Sequence, residues 1–189
     1  MEPLISVVIP VYNAGDFLVQ NIESLINQTY SKFEAVYVDD GSDDTSLAIL
    51  RDYEKRDPRI RVFPKQHEGV GSARHFGVAK TNGDYILFMD ADDFYATDAF
   101  MELVKVVKFW RAEVEIVLFN YKTYDNLTKT ISKGKDMSLL PQNSVFACRD
   151  VASDLLQIHL PNIWKQMYRA DIVKESPFYC LNSMAEEMV

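Results

Sequence analysis

The chain opens with an apolar run, Leu4 to Ile9, interrupted only by the small Ser6 and stopped at Pro10. A mostly β-branched run without alternation predicts a strand covered on both faces. From Asp16 to Asn27 the period changes. Phe17, Leu18, Ile22, Leu25 and Ile26 recur at helical spacing, with Gly15 and Asp16 as the start signal. Phe33 to Val38 predicts a second apolar strand. Asp43 or Asp44 then caps a helix reaching about Asp57, with Leu47, Leu50 and Tyr53 on one stripe. Ile60 to Phe63 is a third, shorter strand. A helix from about Gly71 to Lys80 is closed by Thr81-Asn82-Gly83, and Tyr85 to Met89 makes a fourth strand. Thr97 is expected to cap a helix running to Trp110, ahead of a strand at Glu115 to Phe119. Repeated strand-then-helix units predict an α/β fold, a mostly parallel sheet with helices on both faces. After Tyr121 the pattern loosens, with a hairpin expected around Asp125-Asn126 and a helix near Arg149 to Ile158. No low-complexity linker or internal repeat divides the chain, so residues 1–189 read as one domain.

Composition changes this picture little. With 48% hydrophobic and 25% charged residues, the chain has the make-up of a globular domain that buries a sizeable core. A formal net charge of −8 argues against nucleic acid as a partner, since a broad footprint on phosphates needs a basic face. Cys148 and Cys180 lie far apart, with no CxxC or His pairing, and indicate neither a zinc site nor a disulfide framework. The N-terminus lacks the basic leader of a signal peptide. No apolar run approaches the roughly 20 residues that cross a bilayer. The expected location is therefore cytoplasmic, or peripheral on the inner face of the cell membrane. Without a secretory signal, the sequon at Asn126-Leu127-Thr128 carries almost no weight.

In open parallel sheets ligands collect beyond the carboxyl ends of the strands. Three of those ends are polar here: Pro10-Val11-Tyr12-Asn13, Asp39-Asp40 and Asp90-Ala91-Asp92-Asp93. Carboxylates converging on one rim repel each other unless a cation sits among them, and a hard divalent ion suits oxygen ligands. A metal-diphosphate site is the expectation. Asp43, Asp44 and Asp98 are assigned instead to capping and turns.

The same residues carry a resemblance. Ile5-Ser6-Val7-Val8-Ile9-Pro10-Val11-Tyr12-Asn13-Ala14 resembles the opening strand and loop of family 2 glycosyltransferases, and Asn27-Gln28-Thr29-Tyr30 resembles their following helix end. Val38 through Ser46 is similar to the family's VDDGSxDxT segment, with Ser46 in place of the final Thr. Gly69 through Gly77 resembles its GxxxARNxG stretch with His75 for the Asn, and Asp90-Ala91-Asp92-Asp93 matches its DxDD motif. The resemblance implies the Rossmann-like GT-A fold. It further implies a metal-dependent, inverting transfer of a sugar from a nucleotide-diphosphate donor, with a UDP-sugar favoured, to an acceptor hydroxyl. Polysaccharide or glycolipid synthesis is the family-level setting.

Carried over by motif, the resemblance gives Pro10, Val11, Tyr12 and Asn13, with Asp39 and above all Asp40, to the nucleotide base. Arg74 lies near the donor diphosphate, where its planar guanidinium suits bidentate contact. Asp90 and Ala91 face the ribose side, while Asp92 and Asp93 hold Mn²⁺ or Mg²⁺. Glu186-Glu187 stands for the family's later Glu-Asp pair, with Glu187 as general base although its extra methylene shifts the carboxylate by about one bond length. Trp164 to Arg169 resembles the segment just ahead of that pair. The first 95 residues would be the nucleotide half. Residues 96–189 would begin an acceptor half that continues further in the family, walls a saccharide or lipid-linked acceptor and can attach to the membrane surface. A form ending at Val189 is therefore expected to bind donor but transfer sugar poorly. Three rival functions share parts of this pattern. A nicotinamide enzyme lacks the third glycine of its fingerprint, where Arg74 stands, and a DxD phosphatase wants its motif near the first strand. A non-catalytic nucleotide-sugar-binding module stays open.

Overall fold

The computed structural model describes residues 2–110, 114–125, 127–133 and 166–175. The apolar runs form β1 (Ile5–Val11), β2 (Phe33–Asp39), β3 (Ile60–Pro64) and β4 (Tyr85–Phe88), all mutually parallel. They are linked by α1 (Gly15–Ile26), α2 (Ser46–Arg56) and α3 (Val70–Val78). α4 (Ala99–Trp110) leads to β5 (Ile116–Leu118), and β6 (Lys122–Asp125) pairs with β7 (Thr130–Lys133) as the expected hairpin. β8 (Gln166–Arg169) and α5 (Ala170–Glu175) complete the described elements.

Every residue of β1 and β2 is buried, which is why these runs do not alternate. Ile5, Val7 and Ile9 face Leu18, Ile22, Leu25, Leu50 and Phe100 from α1, α2 and α4. Val8, Val36 and Val38 face the other side, toward Ala73 and Val78 of α3 and Val173 of α5. The one polar residue of β1, Ser6, is bonded on both sides: its hydroxyl donates to Glu34 Oε1 at 2.7 Å and accepts from Gly83 N–H at 2.8 Å.

The sheet order is β3-β2-β1-β4-β8-β5. The strand near Glu115 is present but does not adjoin β4. β8, from the far end of the described chain, lies antiparallel between them, pairing Leu87 with Met167 and Val117 with Met167. Met167 and Tyr168 are buried on opposite faces, and the Tyr168 ring meets Phe88 edge-on at 6.1 Å. The first helix also differs in detail from its predicted stripe. Phe17 is exposed and Asn21 is buried in its stead beside Leu18, Ile22 and Leu25. The N–H of Phe100, in the first turn of α4, is satisfied by Gln28 Oε1 at 3.1 Å. The helix expected near Arg149–Ile158 lies outside the described residues.

Candidate functional site

The strand order brings the carboxyl ends of β1, β2 and β4 side by side, and the polar residues noted in the sequence meet there. Beyond β1 the chain turns at Asn13, whose backbone is left-handed with φ of +49°. Asn13 N–H donates to Ser42 Oγ at 3.0 Å, and its Oδ1 accepts from Asp43 N–H at the same distance. Asp44 bridges two helix starts. Its Oδ2 accepts from Gly15 N–H at 3.0 Å and its Oδ1 from Ser46 N–H at 2.8 Å. The loops after β1 and β2 are thus sewn together; the N-cap of α2 is Thr45 rather than Asp43 or Asp44, and Asp44, one residue ahead of it, satisfies the first N–H of each helix from outside.

Asp40 is buried and fully engaged. Its carboxylate accepts from Lys65 Nζ at 2.8 Å, from Gly69 N–H at 2.8 Å and from Glu68 N–H at 3.1 Å. His67 Nδ1 sits 2.9 Å from Oδ2. Burial pushes this carboxyl up, but Lys65 and the two backbone donors outweigh it, and the net result lies below the ordinary carboxylate range. Asp40 therefore clamps residues 65–69 against the end of β2. Gly41 sits beneath them with φ of +75°, where an added Cβ would lie 3.0 Å from His67 N. Its neighbour Asp39 is equally buried, and its Oδ1 has no hydrogen-bond partner among the described residues.

The clamp presents His67 to Tyr12. Their rings stack at 4.2 Å with an interplanar angle of 27°, and Tyr12 keeps 51% of its surface in solvent. Beside this stack is a hollow of about 170 Å³ lined by Pro10, Val11, Tyr12, Asp40, His67, Val70 and Ala73. A second, of about 260 Å³, shares Pro10, Tyr12 and Val70 with it and continues past Asn13, Ala14 and Phe17 to Asp90, Ala91 and Asp92. The two make one groove. Its ends are Asp40 and the DxDD turn.

Arg74 comes from α3 beneath this groove. It is 1% exposed, so it is no surface ion-pair residue, and its Nη2 donates to Asp90 Oδ1 at 2.9 Å. The turn itself closes by Asp93 N–H donating to Asp90 O at 3.1 Å. Asp93 as a residue reaches solvent, yet its carboxyl is pushed up to about 6, by burial first and then by the charges of Asp90 and Asp92. Carboxylates that raise one another's affinity for a proton form an oxygen-only donor set that suits a hard divalent cation. Among the described residues no three such side chains are gathered as a ready-made cage. The set at Asp92 and Asp93 fits an ion that takes its other ligands from water or phosphate.

Glu186 and Glu187 lie outside the described residues. Lys65 and His67 belong to the site but carried no signal in the sequence beyond their nearness to the Gly69–Gly77 stretch. Among the described residues no helix is long and apolar enough to cross a membrane.

The family model described as Glycosyl transferase family 2 matches residues 6–175. A Haemophilus influenzae protein named as an uncharacterized glycosyltransferase is 37% identical over 185 residues, covering 92% of this chain and 73% of its own length. Among solved structures, S. aureus TarS in complex with UDP-GlcNAc aligns with a TM-score of 0.71 at 22% identity, over 90% of this chain and 46% of TarS. The mannosyltransferase PcManGT of Pyrobaculum calidifontis, solved with GDP-Man and Mn²⁺, aligns with a TM-score of 0.61 at 18% identity, over 93% of this chain and 47% of its own. The chain spans about half the length of both solved chains and of a further curated relative that it matches.

Proposed function

Because the chain belongs to glycosyltransferase family 2, we propose that it transfers a sugar, with inversion, from a nucleoside-diphosphate donor to an acceptor hydroxyl. The fold is of the GT-A type. UDP-sugar is the proposed donor, and a saccharide or lipid-linked hydroxyl in polysaccharide or glycolipid synthesis is the proposed acceptor. Residues 1–95 are read as the nucleotide half and residues 96–189 as the start of the acceptor half.

One observation carries this reading: a single groove runs from the stacked Tyr12 and His67, beside Asp40, to the carboxylates at Asp90 and Asp92. Such a groove has an aromatic and apolar end for a flat base and an anionic end for a cation with a diphosphate. In this reading the base lies against Tyr12, Pro10 and Val11, with Asn13 and the Asp39-Asp40 strand end at its edge. The ribose lies toward Asp90 and Ala91. Arg74, held by Asp90, supplies positive charge under the diphosphate. Asp92 and Asp93 would hold Mn²⁺ or Mg²⁺, which when bound neutralises the departing charge. Glu187, with Glu186 beside it, is the proposed base. It takes the acceptor proton as the acceptor oxygen bonds to the anomeric carbon, and the electron pair of the broken carbon–oxygen bond leaves with the diphosphate. A purely binding module would share every feature of the groove and differ only in lacking that base.

The test is a binding panel of UDP, UDP-GlcNAc and GDP-mannose with and without Mn²⁺, read by calorimetry on the parent and on Asp92→Asn. The parent should bind a UDP species tighter with Mn²⁺, and Asp92→Asn should lose that gain while keeping its melting curve. Full retention of the Mn²⁺ gain by the variant would refute the metal assignment, and donor binding with neither consumption of the donor nor a glycosylated product would favour the binding module.

A further inference from the structure

We infer that Asn21, in the middle of α1, is a positioning residue that sets the shape of the DxDD turn. This rests on reading that turn as the metal and diphosphate end of the groove. Asn21 is 1% exposed. Its Nδ2 donates to Asp90 O at 3.1 Å and to Asp93 O at 2.9 Å, so one amide group spans the two ends of the turn. Its Oδ1 accepts from the hydroxyl of Tyr37 on β2 at 2.7 Å.

The orientation of this amide is chemically determined. Tyr37 is fully buried, and burial, with Tyr53 second, raises its pKa well above the ordinary value, so its hydroxyl keeps its proton and is the donor. The oxygen of Asn21 must then face Tyr37, and its NH₂ must face the carbonyls of the turn. Helix α1 is itself anchored by Leu18, Ile22 and Leu25, all fully buried.

Asn21 heads a polar row, on α1 and just past its end, that grips the segment leading away from the turn. Ser24 Oγ accepts from Tyr95 N–H at 3.2 Å. Gln28 donates to Ala96 O at 2.7 Å and accepts from Phe100 N–H at 3.1 Å. Positions 21 and 24 share one face of α1, and Gln28 follows just past its end. Asn21 alone of the three bonds the acidic turn directly. The carboxylates of Asp92 and Asp93 are carried by backbone whose ends this one side chain fixes, which is the relation of an outer residue to a ligand it orients.

The experiment measures three quantities on the parent, Asn21→Leu and Tyr37→Phe. They are Mn²⁺ affinity at saturating UDP, from the electron paramagnetic resonance of free Mn²⁺; uridine affinity, by calorimetry; and melting temperature. Asn21→Leu should weaken Mn²⁺ binding by about 10–100-fold, while uridine, which lacks the diphosphate and reaches the turn only through its ribose, weakens by a much smaller factor at a temperature where the variant is folded. Tyr37→Phe, which keeps the core filled but releases the amide, should shift Mn²⁺ in the same direction by a smaller factor. Mn²⁺ binding within twofold of the parent in either folded variant overturns the inference, as does an equal loss for Mn²⁺ and uridine. Should Asn21→Leu not fold, Tyr37→Phe decides alone by the same criterion. A parent whose UDP binding ignores Mn²⁺ refutes the metal reading and this inference together, whereas a Mn²⁺-dependent parent with unaltered variants refutes only the role of Asn21.

Discussion

Asp40→Ala separates a clamp from a mere ligand contact. The substitution takes the acceptor from Lys65 Nζ and from the N–H groups of Glu68 and Gly69, and it leaves His67 Nδ1 only the backbone oxygen of residue 40 at 3.0 Å. Breaking a buried charged pair by deleting one partner costs about 3–5 kcal/mol. Lys65 retains Glu68 Oε2 at 3.0 Å and the carbonyl of Gln66 at 2.7 Å, so the lower end, about 3 kcal/mol, is the better figure. For a chain of this length about 2–4 °C of melting temperature is lost per kcal/mol. The variant without ligand should therefore melt about 6–12 °C below the parent at pH 7.5. UDP binding, measured well below that transition, should also weaken, because the loop that presents His67 to Tyr12 loses its side-chain clamp at Lys65, Glu68 and Gly69. The pH dependence has a definite sign. The folded-state pKa lies below the unfolded value near 3.8, so Asp40 contributes its full stability above that value and loses it as pH falls through the folded one. The gap between parent and variant should close on acidification below pH 3.8. Scanning calorimetry across that range is the assay. A ligand-free variant melting within about 1 °C of the parent at pH 7.5 would refute the clamp.

Two further outcomes follow from the same geometry. Asp93 has its folded pKa raised to about 6, so its charge opposes folding above that pH and the opposition fades as pH falls from 6 toward 3.8; Asp93→Asn should raise the ligand-free melting temperature at pH 7.5, lose that advantage below pH 4, and lose the Mn²⁺ gain in UDP affinity at any pH. In Gly77→Ala the new Cβ would lie 2.5 Å from Val8 Cγ1 and 3.2 Å from Val38 Cγ2, both on fully buried strands. Overpacking of about 1–3 kcal/mol, less up to about 1 kcal/mol of helix propensity, should lower stability in urea titrations and weaken UDP by shifting Arg74 one turn away.

The first four strands and their helices were legible because each is a long run with one period, and their ends were legible because polar residues follow directly. That logic brought Tyr12, Asp40 and Asp90 to one rim. It could not find β8. Gln166–Arg169 has four residues, no β-branched one and no alternation, and it is central only because of its neighbours on both sides. The burial of Arg74 and its bond to Asp90 were not legible, since helix periodicity does not reveal what lies over an arginine in space. Asn21 was hidden differently. A polar residue in an amphipathic helix reads as solvent-facing, and nothing in the local pattern shows which carbonyls it will meet. His67 sits in a loop without any period, and its stack on Tyr12 depends on Asp40 pulling that loop inward.

The insertion of β8 also sets a clock for synthesis. About 80 residues separate Phe88 from Gln166, a delay of roughly 4–16 s at typical elongation rates of 5–20 residues per second. Among the described residues β4 has no other partner on its outer side in that interval, and β5, which there pairs only with β8, has no sheet to join. A bare apolar edge of this kind is a template for mispairing. The nascent chain must therefore carry its nucleotide-side layer with one flank open until Met167 and Tyr168 emerge. Slower translation should lengthen that exposure, and shielding of the edge by a chaperone or the ribosome surface would matter most before residue 166 is made.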